Sequence, residues 1–122
     1  MLIKNNNTFK VNRKKLLKNA DSIGLEFEEC NQGLKATRCY GDKKSYTLEF
    51  RNCLIAILKG NTLKLSLAGY GFLYGSKFDI DDLFGKKIEC YGDVYDCMLM
   101  MDVLKLLDGC VDDYSEELEY DD

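Results

Sequence analysis

Between residues 25 and 67, several short runs alternate apolar with polar residues, and this alternation constrains the fold more than any other feature of the chain. In Leu63–Leu67, leucine at every other position puts three apolar side chains on one face of an extended strand. The run Cys53–Leu58 is continuously apolar and predicts a central strand covered on both faces. The pair Gly60-Asn61 tolerates positive φ and predicts a two-residue hairpin between these strands. The alternating runs together predict a five-stranded antiparallel meander.

Two further segments have the spacing of helices. Asn12 is a good N-cap for a short basic helix, which Gly24 would end. The run Val94–Asp108 is the strongest helical segment, with leucine, valine and methionine filling one broad arc of its circumference. Residues 111–118 continue the helical spacing, so the last third of the chain is predicted to be helical.

These segments predict an α+β fold in one domain, residues 1–122. The expected architecture is an antiparallel meander sheet of five to six strands, the sixth being Lys86–Tyr91. A short N-terminal basic helix and a helical C-terminal third would pack on one face of this sheet. Residues 111–122 would form an acidic C-terminal arm.

The charge of the chain is unevenly distributed along the sequence. The formal net charge is -4, yet residues 1–20 carry six bases and no acid. Residues 111–122 carry seven acids and no base. Such asymmetry is typical either of two termini that dock on each other or of an acidic arm that contacts a basic partner. A solvated basic helix with a merely solubilising acidic tail remains the alternative.

The absence of histidine and the spacing of the cysteines narrow the possible chemistry. Without histidine, the chain has no Ser-His or Cys-His catalytic pair and no histidine metal ligand. No two cysteines lie two to four residues apart, as structural zinc sites require, and the first residues contain no apolar secretory segment. We therefore expect the six cysteines to be free, buried thiols, and we expect the protein to bind no metal and no cofactor and to be cytoplasmic. The cysteines are Cys30, Cys39, Cys53, Cys90, Cys97 and Cys110.

The helix over Val94–Asp108 presents two methionines on the side opposite its apolar arc. Met98 and Met101 fall there, among the charged residues of the helix. Because methionine adapts to irregular surfaces, this pair is a candidate site for binding a protein partner. The alternative is that the C-terminal segment folds back and covers both methionines with Val111, Tyr114 and Leu118.

The acidic arm supplies the other candidate contacts with a partner. Carboxylates on an ordered arm can occupy a basic groove that normally holds phosphates. The residues we expect to make these contacts are Asp112, Asp113, Tyr114, Glu116, Glu117, Glu119 and Tyr120.

Residues 69–76 form a segment that is rich in both glycine and aromatic residues. Tyr70, Phe72 and Tyr74 could form the lid of a small-ligand or nucleotide site. The glycine spacing departs from the dinucleotide-binding fingerprint, so this segment supports only an alternative function, the sequestering of a small ligand or nucleotide.

The leading hypothesis is a non-enzymatic acidic protein that occupies a surface on a macromolecular partner. Its small size, Asn/Lys-rich start and acidic end suggest a phage or mobile-element inhibitor of a host nucleic-acid-handling defence complex. The expected partner is a protein with a basic surface, and no membrane segment is expected. Direct binding of nucleic acid is not expected, because the bases cluster in the first helix. The sequence leaves the oligomeric state open.

Overall fold

Six antiparallel strands form the main sheet of the computed structural model, and two helices pack on one of its faces. The structure describes residues 2–44, 47–69, 78–79 and 94–113. In chain order, the elements are β1 (Leu2–Ile3), β2 (Asn6–Val11), α1 (Arg13–Ser22), β3 (Glu28–Cys30), β4 (Gly33–Lys44), β5 (Thr47–Lys59), β6 (Thr62–Gly69), β7 (Phe78–Asp79), α2 (Val94–Leu107) and β8 (Val111–Asp113).

The strand order of the main sheet is β3-β4-β5-β6-β2-β8, while β1 and β7 form a separate two-stranded sheet. The predicted antiparallel sheet is confirmed, but the predicted meander is wrong as a description of the whole sheet. Only β3 to β6 follow each other in chain order, and β2 then pairs with the outer edge of β6. The reason is the alternation of β2 itself, in which Asn7, Phe9 and Val11 are buried while Asn6 and Lys10 are exposed.

The predicted helical C-terminal third is also wrong. Helix α2 ends at Leu107, and Gly109 then adopts a φ of +67°, which turns the chain back. The backbone N–H of Asn12 donates to the carbonyl of Cys110 at 2.7 Å, and Val111 pairs with Val11. The segment after α2 thus forms a strand, β8, because its backbone pairs with the edge of β2. The strand predicted at residues 86–91 lies outside the described residues.

The strands β4 and β5 are longer than the sequence pattern indicates. Residues 41–44 read Gly-Asp-Lys-Lys, a composition typical of a turn, yet they continue β4, with a register shift between Tyr40 and Gly41. Strand β5 runs from Thr47 to Lys59 and so extends well before the apolar run Cys53–Leu58. The Gly60-Asn61 hairpin is confirmed, and Gly60 adopts a φ of +59° there.

One face of the main sheet forms the core with the two helices. The leucines of β5 and β6 point toward the helices, whereas Ile55 and Ile57 of β5 are only half-buried on the opposite face. The prediction that the Cys53–Leu58 run is covered on both faces is therefore wrong. The buried core side chains of the sheet and helices include Phe9, Val11, Leu16, Ala20, Leu54, Ala56, Leu58, Leu63, Leu65, Leu67, Leu99, Met100, Val103, Leu106 and Leu107.

Gly33 begins β4 at a point of close backbone approach. Its φ is +114°, and a Cβ at this position would lie 2.5 Å from the carbonyl oxygen of Leu58. Only glycine fits here without moving β5, so this residue fixes where the β3–β4 hairpin meets the central strand.

The helix predicted near the N-terminus is confirmed as α1, with the expected cap. The Asn12 side chain accepts a hydrogen bond from the Lys15 backbone N–H at 3.0 Å. Gly24, which follows the helix, has a φ of +72°. Local capping chemistry is enough to place both ends of this helix.

Cys39 and Cys53 face each other across β4 and β5 and are joined by a disulfide. The expectation that all six cysteines are free, buried thiols is wrong for this pair. The register of the two strands places the side chains on the same face with their α-carbons 4.1 Å apart. Of the others, Cys110 is buried, Cys97 is half-buried, Cys30 is exposed and Cys90 lies outside the described residues.

Among the described residues, no helix has both the length and the apolar character needed to cross a membrane.

A buried asparagine on α1 ties the two helices together. Asn19 donates from its side-chain amide to the carbonyls of Leu106 and Asp108, at 3.0 and 2.8 Å. These carbonyls belong to the C-terminal end of α2, where backbone acceptors have no partner within their own helix. Asn19 therefore caps the neighbouring helix rather than its own.

We predict that Asn19→Ala lowers the free energy of unfolding by about 2 kcal/mol, because two carbonyls at the end of α2 lose their donor. Asn6→Ala is the matched control, since Asn6 is exposed on β2, and should change it by less than about 0.5 kcal/mol. Urea denaturation measures both. Equal costs for the two variants would contradict the capping role.

Candidate interaction surfaces

Helix α2 is buried along its inner side, and its outer side, defined here by Met98, Met101 and Lys105, carries two methionines beside one exposed lysine. As predicted, Leu99 and Val103 on the inner side are fully buried. Met98 is 48% exposed, and it is the one large apolar side chain in the described part of the chain with such exposure. Met101, one helical turn further on, is half-buried.

The charge content of the two helices differs sharply. Helix α1 carries five charged residues in ten, whereas α2 carries three in fourteen, namely Asp96, Asp102 and Lys105. A helix on the surface of a soluble domain normally has a charged outer face, and one that is apolar all round is normally covered. The outer side of α2 therefore carries fewer charged residues than the outer face of a surface helix normally does.

Asp102 does not belong to the solvent side, where the helical projection places it. Its carboxylate accepts from the Arg38 guanidinium at 3.0 Å and from the Tyr40 hydroxyl, and its side chain is only 19% exposed. Arg38 also donates to the carbonyl of Ile23, just after α1, at 2.8 Å. This cluster joins α2, β4 and the end of α1, which indicates a packing role.

The electrostatics of this cluster fit that role. Burial, together with the adjacent Asp102 carboxylate, raises the pKa of Tyr40 above its ordinary value. The tyrosine therefore stays a neutral hydrogen-bond donor at physiological pH, and Arg38 balances the charge of Asp102.

Burial also makes the Cys110 thiol a poor nucleophile at neutral pH. Loss of solvent, with smaller effects from the carboxylates of Asp112 and Asp108, raises the pKa of this thiol to about 11. Its Sγ lies 3.4 Å from the Leu106 carbonyl, as a thiol donor. Since the thiolate is the reactive form, Cys110 serves packing.

Among the shallow grooves that border the described part of the molecule, two are lined by acids and bases together. One, of about 520 Å³, lies between the segment around Glu26 and Glu28 and the edge of β4, and is lined by Cys30, Lys35 and Arg38 among others. Its walls carry charges of both signs. The described residues contain no cluster of three or more Cys, Asp or Glu side chains that could hold a metal ion.

The second groove, of about 550 Å³, lies where β2 leads into α1. Arg13, Lys14, Asn61 and Asp112 contribute to its lining. Arg13 donates to the carbonyl of Gly60 at 2.9 Å, which holds the start of α1 against the β5–β6 turn.

The predicted contact residues of the acidic arm are only partly within the described chain. Asp112 is exposed in β8, and Asp113 pairs with Lys10 in the backbone register. Tyr114, Glu116, Glu117, Glu119 and Tyr120 lie outside the described residues, as do Tyr70, Phe72 and Tyr74 of the alternative ligand loop.

The structure does not bring the methionines and Asp112 together. Helix α2 packs on β4 and β5, whereas β8 lies at the sheet edge beyond β6 and β2. Of the residues that could cover the methionines in the alternative arrangement, Val111 packs against the core within β8, and Tyr114 and Leu118 lie outside the described residues.

The sequence reasoning missed a group of bases on the sheet. Lys10, Lys35, Lys59 and Lys64 are all exposed on the face opposite the helices. The alternation within each strand could have revealed these lysines, because each one is next in sequence to a residue whose side chain points into the core. The inference that bases cluster only in the first helix is wrong.

Comparison with models of protein families, with curated proteins and with solved structures finds no match for this chain.

We predict that Asp102→Ala lowers the free energy of unfolding by about 2 kcal/mol, because Arg38 and Tyr40 both lose their acceptor in a partly desolvated cluster. Asp108→Ala, at an exposed position just beyond the same helix, should change it by less than about 0.5 kcal/mol. Both are measured by urea denaturation, and a cost at position 102 no larger than at 108 would show that the cluster does not anchor α2.

Proposed function

We propose that this protein is a non-enzymatic binding protein that docks on a protein partner through the outer side of α2. The observation that carries the proposal is the apolar outer side of this helix, with Met98 exposed at its centre. Asp102, which could have made this side polar, is engaged by Arg38. A partner surface that covers the helix would remove the remaining apolar area from water.

Methionine suits such a contact because its unbranched side chain fits irregular partner surfaces. A single exposed apolar residue is common on protein surfaces, but here Met101 and the half-buried Cys97 and Leu104 extend the apolar strip along the helix. The proposed contact is therefore a helix face, with Met98 as the side chain that enters the partner.

The acidic arm is the second part of the proposed contact. Helix α2 packs on β4 and β5, and three strand spacings of about 4.8 Å each separate β5 from β8. Residues 114–122 could span at most about 30 Å if extended, enough to bridge that separation. Arm and helix can therefore engage one partner with a basic surface.

The partner class we propose is a nucleic-acid-handling complex of a host defence system, with a phage or mobile element as the source of the inhibitor. The five acids at positions 116–122 support this proposal, because a run of carboxylates resembles the charge of a phosphate backbone. The cytoplasmic location belongs to the same proposal.

The proposal predicts that Met98→Ser combined with Met101→Ser weakens binding to the partner by at least about tenfold, or 1.4 kcal/mol, because the apolar contact is lost. The partner is first identified by affinity capture from the native host and mass spectrometry. Calorimetric titration with the purified partner then gives the dissociation constant.

Lys18→Ser, on the exposed side of α1, is the control for this experiment and should bind like the unmodified protein. Met98→Ser alone guards against a folding effect, because its exposed side chain should cost little stability. Unchanged affinity for the double variant with an unchanged melting temperature would overturn the helix contact, and a large loss of stability for Met98→Ser would show that Met98 is core.

We also predict that removing residues 114–122 weakens binding about tenfold at low salt and much less at high salt, because exposed charge pairs are screened by ions. The truncation starts after β8, since Val111 packs against the core and its loss would remove a strand. Titrations at two salt concentrations measure the effect. If the truncated and full-length proteins bind with equal affinity at both salt concentrations, the arm is not part of the contact.

A further inference from the structure

Four lysines lie on the face of the main sheet opposite the two described helices. On this open face, strand alternation exposes Lys35 of β4, Lys59 of β5, Lys64 of β6 and Lys10 of β2. The two helices pack against the opposite face, where the leucines are buried. Each lysine side chain is exposed to solvent.

The register arranges these lysines as a zigzag across four strands. Lys59 and Lys10 both lie opposite Thr62, which separates them on β6, and Lys35 and Lys64 flank Ile57 in the same way. From ordinary strand spacing and rise, successive lysines have α-carbons about 8 Å apart, and the zigzag spans about 14 Å.

The two central lysines of this zigzag are the ones best placed to meet an outside anion. Lys59 and Lys64 lie opposite uncharged residues in the register, whereas Glu28 lies opposite Lys35 and Asp113 lies opposite Lys10 at the two ends of the zigzag. The described residues contain 14 Lys and Arg against 12 Asp and Glu, so the acidic excess of the chain comes from residues outside the described ranges.

The positive surface continues around the β5–β6 turn. Arg13 donates to the Gly60 carbonyl at 2.9 Å, which places the first residues of α1 beside this turn. Lys14 is exposed there, and both bases line the 550 Å³ groove with Asn61. Asp112 is the acid that lines the same groove. The four lysines with Arg13 and Lys14 are called the basic band below.

We propose that the basic band binds the phosphodiester backbone of a nucleic acid without reading its sequence. Flexible lysines act as point charges toward phosphates and tolerate variation in their position. The described side chains on the open face include no aromatic ring that could stack on a base, so recognition rests on the backbone.

A nucleic acid fits the band better than an acidic protein does. Protein contacts usually depend on aromatic or arginine anchors in desolvated pockets, whereas this face offers exposed lysines around half-buried Ile55 and Ile57. A row of separate positive charges instead matches the repeated charge of a phosphate backbone. The band lies across the sheet from α2, so it is independent of the proposed protein contact.

The test measures fluorescence anisotropy of a fluorescein-labelled 20-nucleotide single-stranded DNA with the full-length protein at several salt concentrations. The unmodified protein should bind with a dissociation constant on the order of 10⁻⁵ M at physiological salt. Lys59→Gln with Lys64→Gln should weaken binding about tenfold and reduce the salt dependence by about 1.4 in the log–log slope, since two phosphate contacts are lost.

The matched control is Lys18→Gln with Lys105→Gln, which removes the same charge from exposed positions on the two helices. It should change the dissociation constant less than about threefold, as long-range charge effects are screened. Absence of binding at low salt, or equal weakening by both double variants, would overturn the proposal. Displacement of the DNA by poly-glutamate at equal charge concentration would also overturn it, in favour of an acidic protein.

Discussion

Burial of a single face of the main sheet under two helices is the constraint on which the rest of the structure depends. The leucines of β5 and β6 supply much of this core, and their neighbours one position along the chain lie on the opposite face of the sheet. A shift of one residue in either strand would exchange leucines for residues such as Lys64. The register that builds the core therefore also builds the open face, and the proposed basic band is a by-product of the same alternation.

Specific polar contacts position the helices on this core. Asn19 closes the end of α2 from α1, and Asp102 receives Arg38 and Tyr40 from β4. Each contact satisfies a group that would otherwise be costly to leave without a partner near the core. Because Asp102 is used in this way, the outer side of α2 keeps little charge, and its apolar character follows from how the helix is anchored.

Features fixed by neighbouring residues could be predicted from the sequence. The Asn12 cap, the turn at Gly60-Asn61 and the buried inner side of α2 depend only on local spacing. The places of β2 and β8 could not be predicted, because they depend on which strand edges remain free after the others have paired. The long β4, with its register shift after Tyr40, overrode turn-forming residues that favoured a break.

The features of the candidate surfaces also differ in whether they depend on local spacing or on how the strands pair. Exposure of Met98 follows from helical periodicity, and the structure agrees with it. The ion pair of Asp102 required knowledge of where β4 lies, and the facing positions of Cys39 and Cys53 required the register of two strands. The lysines of the open face were visible one strand at a time, but only the strand order shows that four of them share one surface.

The adjacency of β2 and β8 has a consequence for how the chain reaches its final form. Lys10 and Asp113 are sheet neighbours although residues 11–112 separate them along the chain. As the polypeptide leaves the ribosome, β2 and the strands up to β6 emerge long before the segment that completes their edge. Closing so large a loop carries an entropic cost and slows assembly. The nascent protein thus carries an open hydrogen-bonding edge on β2 until residues 111–113 have emerged to pair with it.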